Sequence, residues 1–280
     1  MRLRKDIRVV VLAAIFGVLG IVAPASADAF LLDSFRLPPS DVPAPGVDSN
    51  YKWGAPVYGT PGDTVSYSYI PGGTACGILN PTTVGVPTCV VTDPLSSFLP
   101  VGYQAAFGAA FGQWSTYGDI EFANVADGGA AVNGGGAGFS GNIRIGGYNM
   151  GHVSTLAFAF FPYPADTVDS ALGDVFFNSY YGWELVSDGT GDGAFNMALV
   201  ALHELGHSLG LAHEPSGEAA AIMNPFYSEA FSTLRPDDIA GVQFIYGPQQ
   251  ETTIPEPTTV LLVGSGVCHF VRSRSKRRSQ

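Results

Sequence analysis

Positive charge is scarce through most of this 280-residue chain. Of its thirteen Lys and Arg, four (Arg2, Arg4, Lys5, Arg8) crowd the start and five (Arg272, Arg274, Lys276, Arg277, Arg278) crowd the end. Only Arg36, Lys52, Arg144 and Arg235 remain between them. The acidic body that results excludes nucleic acid and anionic lipid as partners. Long hydrophobic runs are missing too. Val9 to Val22 and Thr258 to Val271 are short of the ~20 residues that cross a bilayer as a helix. Cysteine is limited to Cys76, Cys89 and Cys268, and histidine to five residues. No internal repeat is present, and the Gly-rich stretch from Gly128 to Gly141 lacks a phosphate-binding pattern.

The two basic clusters belong to segments that read as addresses. The first precedes the apolar run Val9 to Val22 and a small-x-small site, Ala25-Ser26-Ala27, so residues 1–27 read as a secretory signal peptide. A single membrane anchor is the alternative. At the other end, Ile254-Pro255-Glu256-Pro257 opens a segment that turns apolar and closes on arginines. The positive-inside rule keeps such an end cytoplasmic and what precedes it outside. Pro-Glu-Pro, a short apolar segment and an Arg-rich terminus resemble the PEP-CTERM sorting signal. That resemblance implies a Gram-negative bacterium, a cell-surface or extracellular destination, transient membrane association and removal by an exosortase-type enzyme. A plain C-terminal anchor is the alternative for residues 249–280.

Residues 28–49, rich in Pro and Asp, read as an extended leader. Residues 50–248 are enough for one domain with a sizeable core. Thr64 to Ile70 alternates Val65, Tyr67 and Tyr69 against Ser66 and Ser68, which predicts a strand with one buried face. Residues 71–100 form a loop around Cys76 and Cys89. An exported pair reads as a disulfide, worth about 3 kcal/mol by loop entropy. Phe107, Phe111 and Trp114 mark a helix over Val101 to Tyr117. Strands are expected at Asn142 to Ile145, Thr155 to Phe161 and Asp174 to Phe177, and a loop at Gly182 to Gly193. Helices are expected at Ala194 to Leu209, with Gly210 at its C-terminal cap, and at Pro236 to Tyr246, with Ile239, Val242 and Ile245 inward. The class is α+β with one twisted mixed sheet.

The chemistry lies in His203-Glu204-Leu205-Gly206-His207-Ser208-Leu209-Gly210-Leu211-Ala212-His213. A spacing of four puts His203 and His207 on one helix face, within reach of a single tetrahedral ion. Gly210 lets the chain turn back so that His213 becomes the third ligand. One coordination position stays open for water. Glu204 stands beside the metal, placed to take a proton from that water and pass it to a leaving amine. Three of the body's four histidines fall at the required spacing, which a chance His-Glu-x-x-His does not explain.

This extended motif resembles that of the metzincin zinc proteases. Ala221-Ile222-Met223-Asn224-Pro225 is similar to their Met-turn, with Met223 beneath the metal. Within that clan the chain resembles the matrixins. Lys52-Trp53-Gly54 with Thr64 to Ile70 is similar to their opening strand, and Ala106 to Ser115 to their first helix. Thr155 to Phe160 resembles the edge strand that aligns substrate, Pro225-Phe226-Tyr227 the wall of the main specificity pocket, and Asp237 to Gly247 the closing helix. The resemblance implies a zincin fold and a monomeric endopeptidase. One catalytic zinc and a peptide substrate added as a strand at an exposed edge near Leu156 and Ala157 are also implied. Phe158 and Phe176 stand where matrixins carry ligands of a second, structural zinc, and His152, the one candidate left, cannot make such a site alone, so none is expected. Calcium has Asp166, Asp169 and Asp174 as candidate ligands, although Asn178, Ser179 and Tyr180 replace the family's acidic run. Cys76-Gly77 faintly echoes the family's inhibitory switch, the alternative to a disulfide. Two other functions compete: an adhesion protein of extracellular matrix or biofilm that keeps the fold, and a zinc hydrolase of non-protein amides. The first has no use for Glu204.

Overall fold

The computed structural model describes residues 52–77, 86–132, 141–162, 171–186, 194–213 and 220–250. The signal and leader segments, residues 251–280 of the tail, and the candidates Asp166 and Asp169 lie outside them. The chain divides into units at residues 1–249 and 250–280, and the fold that follows is that of the first. No helix among the described residues is long and apolar enough to cross a membrane.

The architecture is α+β. Strands β1 (Thr64–Tyr69), β2 (Glu121–Asn124), β3 (Ile143–Tyr148), β4 (Ala157–Ala159) and β5 (Val175–Asn178) form one sheet in the order β2-β1-β3-β5-β4. The first four in that order run parallel, and β4 is antiparallel to β5 at the edge. Parallel neighbours need a crossover, and helix α1 (Tyr103–Tyr117) supplies it between β1 and β2. A two-residue strand β6 (Trp183–Glu184) pairs with β7 (Phe195–Asn196), directly before helix α2 (Met197–Ser208). Helix α3 (Pro236–Tyr246) closes the domain, with Val242 and Ile245 inward and Ile239 at the margin.

Both faces of the sheet are covered, and strand alternation sorts the side chains between them. Ile143, Ile145, Ala157, Ala159, Val175 and Phe177 join α1 and α2 in the larger core. Tyr148, Phe158 and Phe176 face the other way, into a smaller cluster with Cys76, Cys89 and Phe160. Cys76 and Cys89 are bonded there, their Cα atoms 5.6 Å apart, so Cys76 offers no free thiolate. The prediction of one buried face for β1 is too simple. Ser68 is buried opposite Val65 because it donates to Asp127 Oδ2 at 2.7 Å. Asp127 is in turn held by Arg144 in a buried ion pair at 2.8 Å.

Three other expectations change. β2 is present where no strand was expected, since Glu-Phe-Ala-Asn is too short and polar to carry an alternation. Trp183–Glu184 is paired rather than loop. Helix α2 starts at Met197 rather than Ala194, because Asn196 caps it: its side chain accepts the Leu199 N–H at 3.0 Å.

Candidate metal centre

Helix α2 is apolar on nearly every side, and all its residues except Ala198 are buried. A helix buried all round belongs in a core, and α2 packs between the sheet and α1. Two neighbours fix its depth. Trp114 of α1 donates from Nε1 to Leu202 O at 3.0 Å. Gly206 faces Met223 so closely that a Cβ there would overlap the Met223 sulfur and stand 3.0 Å from Trp114 Cζ2. The segment with Met223 therefore runs directly beneath the turn carrying His203 and His207.

The C-terminus of α2 brings in the third histidine. Gly210, at φ 99°, takes the left-handed conformation. Gly210 N–H donates to His207 O at 2.9 Å and Leu211 N–H to Gly206 O at 2.9 Å, a Schellman closure. Glycine is thus one residue beyond the cap, which is Leu209. Two of the remaining end carbonyls find distant donors. Trp53 Nε1 donates to Ser208 O at 2.8 Å, and the Tyr246 hydroxyl to Leu209 O at 2.9 Å. The Tyr246 hydroxyl also accepts the Trp53 N–H at 3.2 Å. Both ends of the domain meet at the turn that redirects the chain to His213.

His203, His207 and His213 converge, the one such group of His, Cys, Asp and Glu among the described residues. Their Nε2 atoms are 3.1 Å (His203 to His207), 3.1 Å (His207 to His213) and 3.3 Å (His203 to His213) apart. His203 Nδ1 lies 2.7 Å from Ile222 O, and His207 Nδ1 lies 2.7 Å from Leu211 O. A carbonyl only accepts, so in both rings Nδ1 carries the proton and Nε2 presents a lone pair. Lone pairs facing one another at this range fit a cation between them. Ligand bonds of ~2.0–2.1 Å at tetrahedral angles place nitrogens ~3.3 Å apart, close to the spacing found. Burial first, offset by the Ile222 carbonyl, lowers His203 to about 4, and burial with the neighbouring imidazole lowers His213 to about 3. Burial also drives His207 well down. All three are thus held in the neutral form that ligates metals.

Glu204 is wholly buried, and neither carboxylate oxygen has a hydrogen-bond partner among the described residues. Burial raises its pKa well above the ordinary carboxylate range. An orphaned buried carboxylate beside three converging imidazoles is costly for a fold, and it fits a group that works on a bound water.

The Met223 segment is anchored by Asp238 of α3. Its carboxylate accepts N–H bonds from Ile222 at 2.9 Å, Met223 at 3.0 Å and Arg235 at 2.8 Å. The Ile222–Met223 peptide therefore bridges Asp238, through its N–H, and His203, through its carbonyl. Sequence reasoning missed Asp238, Trp53 and Tyr246 as supports of this site, since nothing local marks their partners.

The remaining candidates divide. Pro225 and Tyr227 are half-buried, and the Tyr227 hydroxyl accepts the Asn196 N–H at 2.9 Å and donates to Glu229 at 2.5 Å, tying that loop to the start of α2. Leu156 and Ala157 require a correction. β4 has one strand partner among the described residues, yet Leu156 and Ala157 are each 0% exposed. The edge is one by pairing and not by exposure. Phe158 and Phe176 are register partners with rings stacked 5.3 Å apart, and His152 packs on Tyr180 and Tyr181. Asp174 is buried, with one oxygen accepting the Arg144 N–H at 2.8 Å. Asn178 uses its side chain to bond Met150 N–H, Gly151 O and Thr155 O, which shapes the loop before β4.

Residues 89–247, more than half of the chain, match the model of the matrixin family. The chain belongs to the matrixins. Among its relatives, matrix metalloproteinase-19 of Mus musculus is 34% identical over 169 residues, 59% of this chain and 29% of that protein. Matrix metalloproteinase-16 of Rattus norvegicus is 43% identical over 115 residues, 40% of this chain and 17% of the relative. Stromelysin-3 of Rattus norvegicus is 41% identical over 105 residues, 37% and 19% respectively. The chain thus spans less than a third of the length of these relatives. Matrixins are zinc-dependent metalloendopeptidases, and the three-histidine cluster is consistent with their catalytic zinc.

Proposed function

We propose that this matrixin is an exported, monomeric zinc endopeptidase that hydrolyses peptide bonds of protein substrates. In this reading His203, His207 and His213 hold one zinc ion. When bound, that ion supplies Lewis-acid polarisation and lowers the pKa of a bound water toward ~7. The observation that carries the proposal is Glu204: a buried carboxylate with no hydrogen-bond partner among the described residues, on the helix that presents two of three converging imidazoles.

Glu204 acts as general base, taking the proton of the attacking water, and then as general acid, returning it to the leaving amine. Its burial raises its proton affinity, which favours the first transfer. Ile222 O and Leu211 O keep Nδ1 protonated in His203 and His207, so Nε2 remains the ligand atom. Met223 packs beneath Gly206 and stiffens the floor. The half-buried Pro225 and Tyr227 form the wall of the main side-chain pocket.

Export rests on the residue pattern of 1–27. Sorting through residues 249–280 and an exosortase-type enzyme rests on the Pro-Glu-Pro, apolar and arginine order of the tail. N-terminal and C-terminal sequencing of protein recovered from cells reads both cleavages directly.

The test of the activity is hydrolysis of casein or gelatin by the purified chain, with and without a chelator, beside Glu204→Gln. Chelation is expected to abolish cleavage, and Glu204→Gln to lower kcat by roughly 10²–10⁴ with zinc retained. Full activity of Glu204→Gln would overturn the assignment.

A further inference from the structure

The distribution of charge identifies a substrate class. Positions 28–250 hold 21 acidic and 4 basic residues, a formal −17. A dication at the three histidines would leave that balance at −15. Among the described residues the fold takes the few cations largely off the surface. Lys52 is 0% exposed, its ammonium donating to Trp53 O and Ala55 O at 2.7 Å each. Arg144 is 1% exposed and spent on Asp127. Arg235, half-buried, lies over the Phe231 ring at 4.6 Å. It is the last Lys or Arg among the described residues with any access to solvent.

Asp127, Asp174, Glu204 and Asp238 are buried, and the other described carboxylates take the opposite course. Asp63, Glu121 and Glu229 are exposed, and Asp119, Glu184 and Asp237 are half-exposed. They are spread around the domain. Asp63, Asp119 and Glu121 flank the β1–β2 side of the sheet, and Glu184 and Glu229 stand by the Tyr227 wall. After burial, these last two charges contribute to holding the Tyr227 hydroxyl above its ordinary range, which locates them both close to it. A surface of one sign draws in ligands of opposite charge and repels those of the same charge.

We propose that this matrixin selects cationic polypeptides, segments rich in Lys and Arg, through the negative field of its body. The proposal rests on the peptidase reading above and adds the substrate class to it. A long-range field acts on encounter, so the preference appears in kcat/KM and fades as salt screens it.

The experiment uses two internally quenched peptides with the same central sequence, one flanked by three lysines and the other by three glutamates. Each is cleaved by the zinc-loaded chain at low salt and near 1 M salt. The lysine peptide is expected to be cleaved at least about tenfold faster, in kcat/KM, well below 0.1 M salt. That ratio should shrink to within about twofold near 1 M, where the screening length is only ~3 Å. Equal rates at low salt, a preference for the glutamate peptide, or a lysine preference undiminished by salt would each overturn the proposal. Cleavage of neither peptide, nor of casein, would instead strike the peptidase reading.

Discussion

Asp238 offers a way to perturb the metal centre from outside it. Its carboxylate is buried and accepts three backbone N–H groups, those of Ile222, Met223 and Arg235, at 2.8–3.0 Å. Hydrogen bonds to a charged acceptor are worth roughly 1.5–3 kcal/mol each, and they do not add fully. Asp238→Ala leaves three donors without their acceptor, and a loss of about 3–6 kcal/mol follows. That is a large share of the ~5–15 kcal/mol of a typical domain. Asp238→Asn keeps one oxygen and turns an amide toward an N–H, so about 1–3 kcal/mol is expected. The consequence for the site runs through one peptide. In the Ile222–Met223 unit the Met223 N–H donates to Asp238 at 3.0 Å and the Ile222 carbonyl accepts from His203 Nδ1 at 2.7 Å, so freeing that N–H loosens the orientation of a proposed ligand. Loss of such outer support typically costs ~10–100-fold in metal affinity. Chelator competition measures that affinity, and urea unfolding of the zinc-loaded protein measures the stability. Asp238→Asn with unchanged zinc affinity and a stability within ~0.5 kcal/mol of the parent would refute the coupling.

Three further outcomes are expected. Gly206→Ala drives a methyl into the Met223 sulfur and to 3.0 Å from Trp114, so about 1–3 kcal/mol is lost; thermal unfolding unchanged from the parent would contradict this packing. Trp53→Phe keeps a ring but removes the donor to Ser208 O, which costs about 1 kcal/mol and should raise zinc release above that of the parent in a chelator chase. Burial lowers His203 to about 4 and His213 to about 3, whereas an unfolded imidazole titrates near ~6.5. Their contribution to stability is present above ~6.5 and is lost as pH falls toward about 4, because the unfolded chain takes up protons first. Buried Glu204 and Asp174, shifted upward, act in the opposite sense, so the readout has to be residue by residue. Imidazole nitrogen NMR of the metal-free chain at about pH 5.5 is expected to find His203 and His213 neutral, and protonated rings would contradict it.

The parts legible in the sequence were those whose partners lie within a helical turn or two. His203, His207 and Gly210 are related by local geometry, so spacing alone announces a ligand pair and a turn. Helix α3 was legible from end to end, because Pro236 opens it and apolar residues recur at its pitch. What could not be read was long-range partnership. Nothing near Trp53 says that its indole reaches Ser208, and nothing near Asp127 says that it waits for Arg144. Ser68 looked like a solvent-facing strand residue and is buried because that distant pair sits over it. Asn196 was within reach of sequence rules as an N-cap. Phe195 before it made the apolar pattern start too early. The burial of β4 is the instructive failure: pairing order makes a strand an edge, while exposure depends on what packs around it.

Zinc quantification joined to site variants tests the central claim most directly. Purified chain loaded with excess zinc and then desalted should retain one ion per molecule, coordinated by three nitrogens in X-ray absorption. His207→Ala should retain none. Retention of a full equivalent by His207→Ala, or no zinc in the parent, would contradict a metal centre built on His203, His207 and His213.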